Sequence, residues 1–359
     1  MNTNAQSHRP SDRVYAVDLA KNVFQVHTFG PHGECIRRQR LSRRKFAEKF
    51  SHPNTAPGVI VMEACSSSNY WARRFNELGY RTHLVPPQFV AKRRIGNKND
   101  GNDADTVHAV STDRRVKPVP VKTLHQQDLL ALHRVRERLV KQQTQCRNQV
   151  RSLLAERGLV AKAGLAGFKE LMEQLNQQEA PQVTEPLRYL VATMVEEIEQ
   201  RRARLRQIEI QLKDASKQSA ICPLLTTIPG IALITSTAVD AEHGNGVARF
   251  ADCRQFAASI GVTPGEHSSG EKHRRGPITK RGNHYLRRLL VQGAKNVVNH
   301  CHRRDDALHL QARRMLEAGK PRNKVDIAIA NRLARIVYAV IKHREPYCAS
   351  GSHSQAVAA

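Results

Sequence analysis

The first hundred residues consist of short apolar runs separated by turn residues. Five runs have the β-branched or alternating pattern of strands: residues 14–19, 23–29, 34–41, 58–63 and 80–85. Four other stretches are more polar and have amphipathic spacing, which predicts helices: residues 42–50, 67–79, 88–95 and 102–114. Because three strands come first and strands then alternate with helices, the pattern predicts a mixed α/β domain.

A helical pattern replaces the strands after Asp128. Apolar residues recur there at spacings of three and four until Gly158, and a second long helix is expected from Pro186. Its heptad positions are Val191, Met194, Ile198, Leu205, Ile208 and Leu212. The two helices could pack on each other within one chain or form a coiled coil that joins protomers, and the pattern fits both.

The remaining sequence is also mainly helical. Residues 160–185 have no single dominant pattern, whereas residues 221–345 are expected to be mostly α-helical. The last helix carries an apolar stripe: Val325, Ile329, Leu333, Ile336, Val337 and Val340.

Composition limits the classes of function. The 359 residues include 58 Lys+Arg and 32 Asp+Glu, so the net charge is +26, and the basic residues are spread along the whole chain. A hydrophobic content of 40% is enough for folded domains, and the positive charge favours a polyanionic partner. Aromatic residues make up only 5%, which argues against RNA binding on stacked aromatic platforms.

Membrane, secreted and zinc-finger proteins are disfavoured by simple patterns. No apolar run approaches the ~18 residues of a membrane span, and the polar N-terminal residues do not resemble an export signal. The seven cysteines are scattered without a C-x-x-C pair, which is typical of reduced thiols. We therefore expect a cytoplasmic protein.

Four carboxylates stand at positions where chemistry is often found. Asp18 and Glu63 each end an apolar strand, and Asp100 and Asp103 lie three residues apart at the start of a helix, hence on one helical face. Singly, each would be an ordinary strand-end or helix-capping residue. As an ordered set they could converge and share one or two Mg²⁺ ions, which prefer oxygen ligands. Asp105 lies off that helical face and is expected to support the site or to face solvent.

A serine-containing segment near residue 270 is surrounded by basic residues. Residues 261–270 are expected to form a loop, GVTPGEHSSG, followed by a helix from about Asn283. The nearby cations, which are the candidate phosphate ligands, are Lys272, Arg274, Arg275, Lys280, Arg281, Arg287 and Arg288. A serine needs a base or a metal ion to act as a nucleophile, so the loop could hold a nucleophile or be a Ser-Gly hinge in a phosphate-binding loop.

A second backbone element could contact phosphates. The segment Ile228-Pro229-Gly230-Ile231 resembles the hairpin of a helix-hairpin-helix unit, in which Gly230 would let backbone N–H groups approach DNA. It would equally suit a plain turn between two buried helices.

Together these motifs resemble one family, the DEDD-type insertion-sequence transposases of the one-ten family, in particular its eleven-eleven subgroup. The matching segments, in the order of the family, are VDLAK (17–21), MEAC (62–65), KNDGNDA (98–104), IPGI (228–231), GVTP (261–264), SSG (268–270), ITKRGN (278–283) and YLR (285–287). Each is weak alone, but the ordered set spans residues 13–300 and is specific.

The resemblance implies a mechanism and assigns roles to residues. It implies that Asp18, Glu63, Asp100 and Asp103 bind Mg²⁺ and that Ser269 forms a covalent link to DNA, with the adjacent Ser268 as the alternative nucleophile. It further implies that a structured noncoding RNA guides DNA exchange, and that the middle helices assemble a dimer to tetramer in which one protomer's carboxylates meet another's serine.

The resemblance also gives a domain plan. We expect a flexible tail over residues 1–12, an RNase H-like (RuvC-like) α/β domain over 13–115, a helical coiled-coil region over 123–220, a mostly α serine domain over 221–345 and a disordered tail over 346–359. A bacterial, nucleoid-associated protein is implied.

Two other functions remain open at this point. A junction-resolving nuclease would use the carboxylates with water as the nucleophile, and would not depend on Ser269. A basic nucleic-acid-packaging protein would have no catalysis, but four acids in its binding face would repel phosphate.

Overall fold

The computed structural model describes residues 13–93, 100–176, 182–266 and 274–349. It divides the chain into two compact units, Met1–Thr123 and Leu124–Ala359. The expected tail over residues 1–12 lies outside the described residues, as do residues 350–359 of the tail expected over 346–359. Tyr347, at the start of that second tail, instead packs against the C-terminal core.

The first unit is an α/β domain. Its elements are β1 (Val14–Asp18), β2 (Val23–Phe29), β3 (Cys35–Ser42), α1 (Arg43–Ser51), β4 (Val59–Glu63), α2 (Ser68–Glu77), β5 (Arg81–Val85), α3 (Pro87–Arg93) and α4 (Asp100–Ser111). The strands form one five-stranded sheet in the order β3-β2-β1-β4-β5. β1 pairs antiparallel with β2 and parallel with β4, and β4 pairs parallel with β5, so the sheet is mixed. The predicted mixed α/β domain is confirmed.

Strand alternation builds a separate core on each face of the sheet. Tyr15 and Val17 point to the face covered by α1 and α2, where Phe46, Phe50 and Trp71 fill the core. On the opposite face, the β-strand core residues pack on α3 and α4: Val14, Ala16, Val59 and Val61 against Val90, Val107 and Val110. Each face of the sheet is therefore covered by helices, and β1 and β4 lie in the middle.

The second unit is mostly helical. Its elements are α5 (Leu124–Ala155), α6 (Gly164–Asn176), α7 (Glu185–Gln218), α8 (Cys222–Leu225), α9 (Leu233–His243), α10 (Cys253–Ile260), β6 (Pro264–Glu266), β7 (Arg275–Ile278), α11 (His284–Asn299), α12 (Ala307–Glu317) and α13 (Arg322–His343). No helix in the described ranges is long and apolar enough to cross a membrane.

The two long helices α5 and α7 pack on each other within the chain. Gln143 donates from its side-chain amide to the Ile198 carbonyl oxygen at 3.2 Å, and Arg136 pairs with Glu209 at 2.9 Å. The intrachain packing left open by the heptad pattern is thus observed. No pattern in residues 160–185 predicts α6, which packs Phe168 and Leu171 against both long helices.

The C-terminal core surrounds α11 and α13. All six residues of the predicted apolar stripe of α13 are buried there: Val325, Ile329, Leu333, Ile336, Val337 and Val340. The expectation of a loop over residues 261–270 is wrong for Pro264–Glu266, which forms β6 and pairs antiparallel with β7. A three-residue strand that contains Pro and Gly has no local pattern, and pairing with a distant segment creates it.

Candidate functional site

Asp18 and Glu63 are brought together by the sheet. Val17 is paired with Met62 in the parallel register of β1 and β4, so Asp18 and Glu63 follow at the same level on adjacent strands. Adjacent strands lie about 4.8 Å apart. Each acid is two residues after a core residue of the α4 face, Ala16 and Val61 respectively, and therefore shares that face.

The first turn of α4 lies over this end of β1. His108 stacks on Phe29 with ring centroids 3.7 Å apart, and one helical turn earlier Asp105 bonds to His27. In the β1–β2 register, Phe29 opposes Val14 and His27 opposes Ala16. The helix contacts therefore move from Val14 towards Asp18 as α4 is followed back to its first residue.

Asp103 of α4 faces the same end of the sheet. Asp103 is 5% exposed and lies one turn before Val107, which packs on the sheet, so its side chain faces the strands. Asp100 is the first residue of α4. Asp18, Glu63 and Asp103 thus lie around the carboxyl ends of β1 and β4, and carboxylate oxygens are the ligands that Mg²⁺ takes in proteins. The side chain of Asp100 lies outside the described part of the chain, so its place in the site stays a prediction.

Asp105 joins α4 to the β2–β3 hairpin. One carboxylate oxygen lies 2.7 Å from Nδ1 of the buried His27, and the other accepts from Arg38 at 3.0 Å. The thiol of Cys35 is close enough for the three ligand atoms of His27, Cys35 and Asp105 to lie within 4.8 Å of one another, an arrangement that could hold a metal ion. The spacing places Asp105 off the helical face of Asp100 and Asp103, as the structure shows, but nothing in the sequence predicts its partners.

The hairpin β6–β7 fixes both ends of the serine segment. Pro264 pairs with Ile278 and Glu266 with Arg275, and Thr279 donates its backbone N–H to the Thr263 carbonyl oxygen at 3.0 Å. Ser268, Ser269 and Lys272 lie outside the described residues, so their assigned roles remain predictions.

Glycine is required at the base of this hairpin. Gly261 has φ +78°, and a Cβ there would lie 2.2 Å from the Arg281 carbonyl oxygen. The segment that leaves β7 therefore runs directly against the end of α10.

The basic residues around the hairpin divide into two groups. Arg274, Lys280 and Arg281 are exposed, as expected of phosphate ligands. Arg287 instead donates from Nη1 to the carbonyl oxygens of Ile260 and Arg281 at 2.8 and 2.9 Å, and so supports the hairpin. Its neighbour in the sequence, Arg288, pairs with Glu137 at 2.8 Å.

Gly230 has a packing role. It has φ +83°, and a Cβ there would lie 2.6 Å from the carbonyl oxygen of Gly293 in α11. The turn around Gly230 connects the short helix α8 to α9. Close contact with α11 accounts for this glycine whether or not the turn also contacts DNA.

A pocket that the sequence did not suggest lies beside the start of α11. It has a volume of about 290 Å³ and is lined by residues that include His133, Glu137, Glu242 and Asn283. Asn283 caps α11 and donates from its amide to Glu242 at 3.0 Å. Its titratable groups come from α5, α9 and α11, so only the tertiary fold brings them together.

Comparison with known proteins gives matches over most of the chain. The model of a transposase family of DEDD type matches residues 15–157, and the model described as "Transposase IS116/IS110/IS902 family" matches residues 222–310. These ranges include the four carboxylates and the serine hairpin.

Individual relatives extend the similarity to nearly the full length. The chain is 37% identical to a "Probable family 20 transposase" of Pseudomonas aeruginosa, over 92% of this chain and 97% of the relative. It is 33% identical to the "Transposase for insertion sequence element IS1111A" of Coxiella burnetii, over 93% and 91% of the two chains. A "Pilin gene-inverting protein" of Moraxella bovis is 33% identical over 34% of this chain and 38% of its own length.

Proposed function

The chain belongs to the IS116/IS110/IS902 family of insertion-sequence transposases, and from this premise we propose that it cuts and rejoins DNA through a covalent link between Ser269 and a DNA strand. Membership of the family implies a DNA-binding enzyme that cleaves and rejoins DNA. The DEDD domain also implies the use of a divalent metal ion.

The first unit is proposed to have an RNase H-like fold. The strand order is β3-β2-β1-β4-β5, and β2 alone runs opposite to the other four strands. This topology supports the assignment. The acids at the end of the central strand and its parallel neighbour are in the place where such a sheet would carry its metal ligands.

The observation that carries the proposal is the shared level of Asp18 and Glu63 on β1 and β4, with the start of α4 above them. We assign Asp18, Glu63, Asp100 and Asp103 as ligands of Mg²⁺. When bound there, Mg²⁺ would neutralise charge that develops on the oxygens of a phosphodiester during displacement. The carboxylates on α4 and the sheet would hold the metal ion, and through that ion they would orient the reacting phosphate.

The proposed covalent step is an exchange of one phosphodiester for another. The hydroxyl oxygen of Ser269 forms a bond to phosphorus, the bond from phosphorus to one deoxyribose oxygen breaks, and the serine proton ends on that leaving oxygen. The reverse reaction with a different DNA end rejoins the strand, and no external energy source is needed. The exposed cations at the ends of the hairpin, Arg274, Lys280 and Arg281, support phosphate binding next to the serine.

We propose two further partners on the family resemblance. A structured noncoding RNA from the element would guide target choice, and a dimer to tetramer would bring one protomer's carboxylates to another's serine. The high positive charge of the chain suits an RNA partner as well as DNA.

The test is the detection of protein attached to a DNA end. The full-length chain is incubated with Mg²⁺, the element-end RNA and labelled matching DNA, and the products are separated under denaturing conditions. We expect a labelled covalent adduct with wild type and Ser268→Ala, and none with Ser269→Ala. Asp18→Asn should abolish the adduct while DNA binding is retained, because the substitution removes a metal ligand but no cation.

Other outcomes would point to other functions. Cleavage without an adduct, unchanged by Ser269→Ala, would identify a nuclease that uses water. An adduct that survives Ser269→Ala but not Ser268→Ala would move the nucleophile by one residue. If the protein binds DNA but neither cleaves it nor forms an adduct with Mg²⁺ under any condition, the proposal that it is an enzyme is refuted.

A further inference from the structure

The sheet register extends the row of acids to a basic edge strand. Asp18 on β1 opposes Gln25 on β2, and Gln25 opposes Arg40 on β3. Directly opposite residues share a face of the sheet, so Glu63, Asp18, Gln25 and Arg40 form one row across four strands. We call these four residues the transverse row.

Contacts with the helices confirm on which face Arg40 lies. Arg38, which lies two residues before Arg40 on β3, donates to Asp105 of α4. Residues two apart on a strand share a face, so Arg38 and Arg40 lie on the α4 face with the acids. Gln39 accepts from Lys49 of α1, so Gln39 and Arg37 lie on the opposite face. Arg37 and Arg40 are therefore two exposed arginines on one edge strand that point to different sides of the sheet.

Among the residues that the structure describes, no carboxylate pairs with Arg40. Arg38 is paired with Asp105, and Arg44 of α1 is paired with Glu48 at 3.5 Å. Within the described residues, neither Arg40 nor Arg37 forms an ion pair. The Arg40 guanidinium is thus available for an external anion next to the acid end of the row.

The dimensions suit a nucleic-acid strand. Two strand spacings separate Arg40 from Asp18, about 10 Å at the backbone. Successive phosphates of one strand advance about 3.4 Å along the axis of a DNA duplex, so a duplex whose axis follows the row covers this distance in roughly three nucleotides. A strand whose reacting phosphate lies at Asp18 and Glu63 would present a neighbouring phosphate to Arg40.

We propose that the DNA strand cut by this enzyme lies along the transverse row, with Arg40 binding a phosphate within about three nucleotides of the reacting one. This inference rests on the proposed function, because it takes the acid pair as the place of the reacting phosphate. Arg40 is a substrate-binding residue in this arrangement and takes no part in bond making.

The chain offers a matched pair of variants. Arg40→Ala and Arg37→Ala each remove one exposed arginine from β3, so they change the net charge equally. Any loss that follows from total charge alone is therefore the same in both. Arg40→Lys keeps the charge and tests whether a single ammonium group restores part of the binding.

The first measurement is binding of the full-length protein to a short fluorescein-labelled DNA with Ca²⁺ in place of Mg²⁺, since Ca²⁺ also binds carboxylate oxygens, by fluorescence anisotropy over a range of salt concentrations. We expect Arg40→Ala to weaken binding about 3- to 10-fold relative to Arg37→Ala and to lower the salt slope by about one phosphate contact. Equal affinities and slopes for the two variants would overturn the proposal. So would an Arg40-dependent loss seen with RNA of the same sequence but not with DNA.

The second measurement separates this inference from the proposed function. In the adduct assay, Arg40→Ala should raise the DNA concentration for half-maximal adduct by a similar factor and leave the maximal rate within about twofold, because the lost contact is remote from the reacting bond. If the adduct forms and Arg40→Ala matches Arg37→Ala, the inference fails and the function stands. If no adduct forms with any variant but Arg40-specific DNA binding persists, the proposed function fails and the edge remains a DNA-binding surface.

Discussion

A buried histidine makes the second unit sensitive to acid. Nδ1 of His133 in α5 lies 2.9 Å from the hydroxyl oxygen of Tyr285 in α11, and its Nε2 lies 3.1 Å from Oγ1 of Thr237 in α9. Burial of the ring, with a smaller contribution from Arg136, lowers the pKa of His133 to about 4. Protonation of this one ring should therefore weaken the junction of three helices.

The size of the effect follows from the difference between folded and unfolded pKa values. In the unfolded chain the pKa of a histidine is about 6.5. Because the folded pKa is the lower one, the unfolded state takes up the proton first, and stability present above pH ~6.5 is lost as the pH falls towards ~4. With these two values the loss between pH ~7 and ~5 is about 2 kcal/mol.

Hydrogen exchange measured by mass spectrometry resolves this loss helix by helix. The free energy of opening of α5, α9 and α11 is measured at both pH values for wild type and His133→Gln, whose amide can hydrogen bond but does not titrate near neutral pH. We expect the decrease on acidification to be about 2 kcal/mol larger in wild type. His125→Gln, which removes an exposed histidine from the same helix, is the matched control and should behave as wild type.

Two results would refute the reasoning. An equal decrease in wild type and His133→Gln would show that the ring does not carry the linkage. A decrease confined to helices that do not contact His133 would place the acid sensitivity at another group.

Three further changes test packing. Gly230→Ala should lower the free energy of unfolding of the second unit by more than about 2 kcal/mol, because φ is +83° and the new Cβ meets the Gly293 carbonyl oxygen; urea unfolding that matches wild type would contradict this. Asp105→Asn weakens the pairing with His27 and should speed hydrogen exchange in α4, while unchanged exchange would show that the pairing does not hold the helix. Leu154→Ala in the fully buried α5–α6–α7 core should cost about 2–5 kcal/mol in urea unfolding, and a cost below ~1 kcal/mol would indicate that the core collapses around the gap.

Local patterns were sufficient for the elements that position the acids. The alternation along β2 and the continuous apolar runs of β1 and β4 reflect burial on one or both faces, so each strand was identifiable from its own residues. The start of α1 was equally local, because Ser42 caps the helix by accepting from the backbone N–H of Lys45. The order of the four acids could then be read before any tertiary contact was known.

Features that depend on distant contacts were not predictable. β6 exists only because β7 pairs with it, and the partners of Asp105 come from a hairpin about 70 residues earlier in the chain. The contact of Gly230 with Gly293 looks in the sequence like an ordinary Pro-Gly turn. In each case the free energy comes from a non-local pairing, which leaves no periodic signal in either segment.

The two margins of the five-stranded sheet are protected from self-association in different ways. Beyond β5, Val119 adds a single antiparallel bridge to Leu84, and its N–H donates to the Leu84 carbonyl oxygen at 2.8 Å, which occupies part of that margin. At the other margin, β3 carries Arg37, Arg38 and Arg40. Charged side chains on an open edge oppose hydrogen-bonded pairing with the edge strand of a second molecule. Neutralising these arginines together would therefore be expected to promote intermolecular strand pairing and loss of solubility, a cost that any redesign of this surface would have to meet.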